Sequence, residues 1–353
     1  MVAGHRAVRC EWTRALTEQT VKTLGLDIGG ANLKAAHSNG GVWTESFALW
    51  SEPDALTDQI KELLGRFSRF DRIGLTMTAE LCDCFATKRH GVNHVLGAVE
   101  TVARDRPVRV WSTDGQWMTT GEAREHILLS AASNWHALAS YVAQEHPTEA
   151  LLIDVGSTTT DVIRLSNGHV AARGLTDLQR LASSELVYLG VTRTPLSCLG
   201  PTIELKGEEV GLMAERFATT RDVFLLTGAL PEQPSCTDTA DGRPATIACA
   251  AARVVRMIGA DLEMLTVGDA THLAQAFAKH VEQRVTDAIE QVVARARIER
   301  VILSGSGAFA AQGPASTILP DASIVRLVDV IGPGAASAAC AYALVQLLDR
   351  YTE

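Results

Sequence analysis

The feature that most restricts this chain is a repeated opening. Residues 21–28 form an apolar run ending in Asp27-Ile28-Gly29-Gly30, and residues 150–155 form another ending in Asp154-Val155-Gly156. Apolar runs of this length, closed by glycine turns, read as buried strands. β-rich stretches follow each one, at 32–37 and 42–49 in the first case. In the second, Ser157-Thr158-Thr159-Thr160-Asp161 leads into 162–165, and an Asn167-Gly168 turn leads into 169–173. The two aspartates are 127 positions apart. Strand, Asp-x-Gly, turn, strand, turn, strand occurring twice is a duplicated domain opening. It predicts two α/β lobes with a cleft between them, and 353 residues suffice for two cores.

The rest of the chain fills in around that frame. Leu56, Ile60, Leu63, Leu64 and Phe67 share one face of a helix expected over 53–70. Strands are expected at 73–78 and 108–112, and helices at 95–104 and 121–143. The first lobe is thus expected over 21–148 and the second over 149–332. Within the second lobe, 175–243 reads as an irregular, polar insertion lying over the cleft, too long for a plain loop. Helices over 244–265 and 269–297 precede a strand at 301–303, the turn Ser304-Gly305-Ser306-Gly307-Ala308 and a strand at 324–328. Residues 333–353 are expected to form one C-terminal helix packing back near the lobe junction. Residues 330–348 are too rich in small residues, and too interrupted by Pro333 and Gln346, to read as a membrane span. Residues 1–20 carry Arg6, Arg9 and Arg14 without an apolar stretch, so they read as a loose extension and not a secretory signal.

Charge narrows the partners. A net charge of -9 with no lysine- or arginine-rich run disfavours nucleic acid and anionic membranes and favours small molecules. The oligomeric state is open, with a homodimer among the options. Seven irregularly spaced cysteines in a chain of this size read as reduced thiols, which places it in the cytoplasm.

Glycines directly after a strand let the backbone present N–H groups to phosphate oxygens. An aspartate at the strand end repels phosphate, and its natural use is to hold a cation that bridges to it. Two such turns with a late glycine turn give the arrangement of the superfamily of sugar kinases, actin and the heat-shock chaperone ATPases, whose lobes are ribonuclease H-like. Several segments narrow the resemblance: LGLDIGGANLK (24–34), TMTAELCDCF (76–85), KRHGV (88–92), ASNWHA (132–137), IDVGSTTTDV (153–162), YLGVTRTP (188–195), ERFATTRD (215–222) and TADGR (239–243). From about residue 21 onward the chain resembles the hydantoinase/oxoprolinase-like branch that includes an ether-forming synthase of the methanofuran pathway, linked to tetrahydromethanopterin-dependent one-carbon metabolism.

That resemblance implies a transferase. It would join an aminomethylfuran-methyl diphosphate to the phenol oxygen of γ-glutamyltyramine and release pyrophosphate. Mg2+ is the implied cofactor, with Asp27 and Asp154 as its candidate ligands. Gly29, Gly30, Gly156, Ser157, Thr158 and Thr159 are candidates for phosphate binding. Lys34 would neutralise the departing oxygens, and Glu80 or Asp177 would take the phenol proton. Arg180 and Arg193 would meet the γ-glutamyl carboxylate, since arginine grips carboxylates in a planar fork. Gly305 and Gly307 would close over the furan or be inherited from a nucleotide-using ancestor. Structural readings compete at each position: turn-capping carboxylates, a solvated lysine, and internal ion pairs with Glu185, Glu208 or Glu215. Two further functions compete: an ATP-dependent hydrolase or small-molecule kinase, and a non-catalytic nucleotide sensor or scaffold.

Overall fold

The computed structural model describes residues 21–351 apart from Arg295. The expectation for residues 1–20 lies outside the described residues. In the first lobe, β1 (Thr23–Ile28), β2 (Asn32–His37), β3 (Val42–Ser46), β4 (Arg72–Met77), β5 (Val108–Trp111) and β6 (Trp117–Met118) form one sheet in the order β3-β2-β1-β4-β5-β6. β1 is wholly buried because it lies between antiparallel β2 and parallel β4 with both faces covered. The covering is close at Gly25, where a Cβ would lie 2.1 Å from the Ala341 carbonyl oxygen.

The second lobe repeats the plan with β7 (Ala150–Val155), β8 (Thr160–Ser166), β9 (His169–Val170) and β10 (Leu186–Val187). The hairpin β11 (Thr202–Leu205) and β12 (Glu208–Gly211) stands apart, while β13 (Arg300–Ser304) and β14 (Ser323–Arg326) complete the main sheet. Its path is β10-β8-β7-β13-β14, with β9 also pairing to β8. β9 and β10 bond different stretches of β8, so together they occupy the place that β3 holds in the first lobe. The expected single third strand at 169–173 is therefore shorter than predicted, and the insertion supplies its continuation. Two mixed sheets with matching strand order make this the actin- and sugar-kinase-like α/β fold.

The register repeats at residue level. Asp27 faces Lys34 across β1 and β2, and Asp154 faces Asp161 across β7 and β8. The Gly29 N–H donates to the Asn32 carbonyl at 3.0 Å, and the Gly156 N–H donates to the Thr159 carbonyl at 2.8 Å. Each glycine turn is thus the same hydrogen-bonded device.

The insertion is more ordered than its composition suggests. A helix over Asp177–Ala182 starts in a capping box of Thr176 and Gln179, and another over Thr220–Leu226 uses Thr219 and Asp222. The long helix Val267–Val293 buries Leu273, Ala274, Phe277, Val281, Val285 and Ile289 on one face, forming the spine of the second core. A separate apolar cluster joins the lobes, with Trp111 of β5, Leu138 and Tyr141 of the helix Asn134–Glu145, and Leu152 of β7 meeting Leu344 and Leu347.

The C-terminus corrects an expectation. Instead of one helix from about residue 333, the chain forms Leu327–Ser337, itself interrupted at Gly332, and then Ala339–Arg350, with a bend of 99° between them. Gly332 takes a left-handed φ of 81° just before Pro333, and Ala338 leaves the helical region at the junction. The second helix buries Ala341, Leu344, Val345 and Leu348 against the first sheet. No single helix among the described residues is long and apolar enough to cross a membrane.

Candidate functional site

The strand ends that carry the repeated turns come near one another, since the charges of Lys34 and Asp27 in the first lobe act on Asp154 in the second. Asp27, at the end of β1, is buried, and burial raises its pKa, with the Lys34 ammonium pulling the other way. Its Oδ1 has no hydrogen-bond partner. Asp154 has its pKa raised to about 6, first by burial and then by the Asp161 carboxylate; a hydrogen bond from Ser304, the Lys34 charge and Asp27 also act on it. Lys34 is half-buried, and its charge reaches both aspartates. The β-ladder explains the grouping: Lys34 lies opposite Asp27, and Ser304 lies beside Asp154 on parallel β13.

Among the described residues, no three His, Cys, Asp or Glu side chains form a ready-made metal cage. Mg2+ needs none, because it keeps several waters and takes one or two carboxylates together with phosphate oxygens. Asp27 and Asp154 fit that demand, and the unpartnered Asp27 Oδ1 is the atom such an ion would satisfy.

The two glycine turns are held differently. At the first, a Cβ on Gly30 would lie 2.6 Å from Cys82 Sγ, so the neighbouring 78–85 segment presses on the turn. At the second, Ser157, Thr158 and Thr159 are half-exposed. The backbone N–H groups of Val191 and Arg193 donate to the Gly156 and Ser157 carbonyls, both at 3.0 Å. Gly190 makes that approach possible, because a Cβ there would lie 2.3 Å from Ser157 C and Thr158 N. Gly190 lies within the 188–195 motif, but its packing role is legible only once the insertion is seen against the loop. Gly305 and Gly307 press on Val155, the residue that leads into the same loop. The Gly307 N–H donates to the Val155 carbonyl at 2.8 Å, and a Cβ on Gly305 would meet that carbonyl at 2.2 Å. Close packing accounts for both glycines.

Glu80 follows β4 and is 1% exposed. Burial raises its pKa to about 7, against the Lys88 ammonium. Lys88 Nζ stands 3.6 Å from Glu80 Oε1 and 2.9 Å from Asp177 Oδ2. Glu80 and Asp177, proposed separately from sequence, thus meet through a lysine that sequence reasoning passed over. The helix Lys88–Ala103 begins at Lys88 behind a Thr87 cap, seven residues earlier than expected. A Cβ on Gly91, one turn in, would lie 2.4 Å from the Glu80 carbonyl oxygen, so the helix packs directly on the Glu80 backbone.

The arginines divide. Arg193 is half-buried, with its guanidinium 4.9 Å from the centre of the Trp50 ring, so the insertion reaches the first lobe there. Arg180 corrects the expectation of a substrate contact. It is 1% exposed, donates to Asp161 Oδ1 at 2.6 Å and to the Glu185 carbonyl at 3.1 Å, and lies 3.8 Å from the centre of the Trp135 ring. Burial raises the Asp161 pKa, and Arg180 opposes the rise. Arg180 is the counter-charge for a carboxylate at the base of the second turn.

This arrangement can hold an anionic ligand at two backbone turns, a divalent ion at two carboxylates, and a proton at a buried glutamate. The family model described as hydantoinase/oxoprolinase matches residues 71–345. A (4-{4-[2-(γ-L-glutamylamino)ethyl]phenoxymethyl}furan-2-yl)methanamine synthase from Methanocaldococcus jannaschii is 33% identical over 337 residues, covering 94% of this chain and 98% of that protein. A synthase of the same name from Methanococcus vannielii is 31% identical over 169 residues, 48% of this chain and 76% of that protein. Among solved structures, a ROK family glucokinase from Streptomyces griseus in complex with glucose and AMPPNP is 13% identical, with a TM-score of 0.48 and coverage of 92% of this chain and 98% of that one. With a family match over most of its length and a full-length relative above 30% identity, the chain belongs to the hydantoinase/oxoprolinase family.

Proposed function

We propose that this protein is a cytoplasmic transferase that joins 5-(aminomethyl)furan-3-yl methyl diphosphate to the phenol oxygen of γ-glutamyltyramine, or a close relative, in the biosynthesis of methanofuran or methylofuran. The observation that carries the reading is the similarity, across nearly the whole of both chains, to a protein named as a synthase of that phenoxymethyl-furan ether. The chemistry balances: the furan-methyl C–O bond to diphosphate breaks, a C–O bond to the phenol forms, and pyrophosphate and one proton are released.

The cleft supports each requirement. The Gly29 and Gly156 N–H groups close their own turns, so the N–H groups of Gly30 and of Ser157 to Thr159 would be the backbone donors to the diphosphate. Asp27 and Asp154 would hold Mg2+, which would supply charge neutralisation on the leaving oxygens. Lys34, whose charge reaches both aspartates, adds a fixed positive charge where negative charge grows as the bond to carbon lengthens. Carbon–oxygen cleavage leaves a furan-methyl cation stabilised by the ring, and the phenol oxygen captures it. A phenol with a pKa near ~10 needs a base. Glu80, with its pKa raised to about 7 and Oε2 unpartnered, suits that task. Arg193 on Trp50 is the remaining cationic candidate for the acceptor's carboxylate.

Purified protein with Mg2+ and both substrates, without ATP, is the test. Ether and pyrophosphate formed in equal amounts support the reading. ATP consumption as a condition of product formation would favour the hydrolase or kinase alternative.

A further inference from the structure

Lys88 serves two carboxylates with one ammonium. Glu80 follows β4 in the first lobe, and Asp177 opens a helix of the insertion in the second. The ammonium is nearer to Asp177, at 2.9 Å, than to Glu80, at 3.6 Å. Glu80 is 1% exposed, whereas the side chains of Lys88 and Asp177 are 23% and 24% exposed. Among the described residues, the side-chain charges that act on Glu80 from other elements are those of Lys88 and Asp177; Ala132 contributes a backbone N–H, and the Arg193 charge acts on Cys82 of Glu80's own turn. Glu80 Oε2 is buried with no partner, so one oxygen of this carboxylate is committed to nothing in the protein.

We propose that Lys88 is a positioning residue, and that its division between Glu80 and Asp177 sets the proton affinity of Glu80 and ties it to engagement of the insertion. The physical argument is a competition. An opposite charge a few ångströms away favours the ionised carboxylate, while a like charge and burial favour the protonated one. Asp177 draws Lys88 partly away and adds its own negative charge. With Asp177 beside Lys88, Glu80 binds a proton more tightly than it would with Lys88 to itself. An ionised Glu80 in this arrangement therefore accepts a proton at Oε2 readily. This rests on the assignment of Glu80 as the base in the proposed reaction, but the proton affinity is a property of the free protein and is measurable without substrate.

The test is a pH titration of the Glu80 carboxyl by difference infrared spectroscopy on the full chain, with Glu80→Gln identifying the band. Lys88→Met is expected to raise the midpoint and Asp177→Asn to lower it, each by on the order of one pH unit. If Lys88→Met does not fold, the downward shift in Asp177→Asn still decides the matter, because a merely structural role would not produce it. Lys88→Arg should restore a midpoint close to that of the wild type. The acid limb of the kcat/KM profile should move with the band. Shifts in the same direction in both variants, or an unmoved midpoint in Asp177→Asn, would overturn the proposal. Opposite shifts in a protein that forms no ether would uphold it while removing the proposed reaction.

Discussion

Replacing Arg180 with methionine separates a ligand-binding arginine from a buried counter-charge. Arg180 is 1% exposed and bonds Asp161 at 2.6 Å, so its loss leaves a carboxylate in a low-dielectric site with no cation beside it. Breaking one side of such a pair costs about 3–5 kcal/mol, and the lost stacking on Trp135 adds about 1 kcal/mol. Asp161 can escape by taking a proton, so the cost depends on pH. In the variant its folded pKa lies further above the unfolded value, so stability is fullest at low pH and declines as pH rises. The slope approaches about 1.4 kcal/mol per pH unit until the folded pKa is passed. Urea denaturation of the Arg180→Met protein should therefore show a large loss of stability at about pH 8 and a smaller one at about pH 5.5, and adding Asp161→Asn should recover much of it. A loss under about 1 kcal/mol, equal at both pH values, would refute the argument. A selective rise in KM for the acceptor, with stability unchanged, would return Arg180 to the substrate.

Three further outcomes follow from the same geometry. Mn2+ binding, followed by electron paramagnetic resonance, should strengthen as pH rises through about 6, where Asp154 ionises, and should collapse in Asp27→Asn; affinity indifferent to both changes would remove the metal role. Lys34→Ala should weaken diphosphate binding roughly ten- to a hundredfold, the size of one charge-assisted contact, and an unchanged inhibition constant for pyrophosphate would return Lys34 to the solvated surface. Gly190→Ala places a Cβ 2.3 Å from the backbone of the second turn, and should lower stability by about 1–3 kcal/mol and activity more than tenfold; wild-type values for both would show that the turn is not held there.

What the sequence revealed, and what it hid, follows from range. The duplicated turns are local patterns, so Asp27, Asp154 and their glycines could be read directly, and the spacing of seven residues even encodes the Lys34 and Asp161 register. Lys88 was overlooked because its partners lie 8 and 89 positions away, and only the folded insertion brings Asp177 to it. The choice between substrate contact and internal ion pair at Arg180 is hidden for a similar reason: its partner, Asp161, lies on β8, and the capped helix that delivers Arg180 sits in a segment of irregular composition. The capping boxes at Thr176 and Thr219 were legible signals that went unused. Gly332-Pro333 marks the break inside the C-terminal helical segment, but the bend at Ala338 has no glycine or proline at the junction to mark it.

The most direct test of the proposed chemistry is the fate of the bridging oxygen. Donor diphosphate labelled with 18O between the furan-methyl carbon and phosphorus should be incubated with the protein, Mg2+ and γ-glutamyltyramine, and both products analysed by mass spectrometry. The account predicts that all of the label leaves in pyrophosphate, that the ether oxygen derives from the phenol, and that ATP is not needed. Label retained in the furan product, or turnover only with ATP, would contradict it.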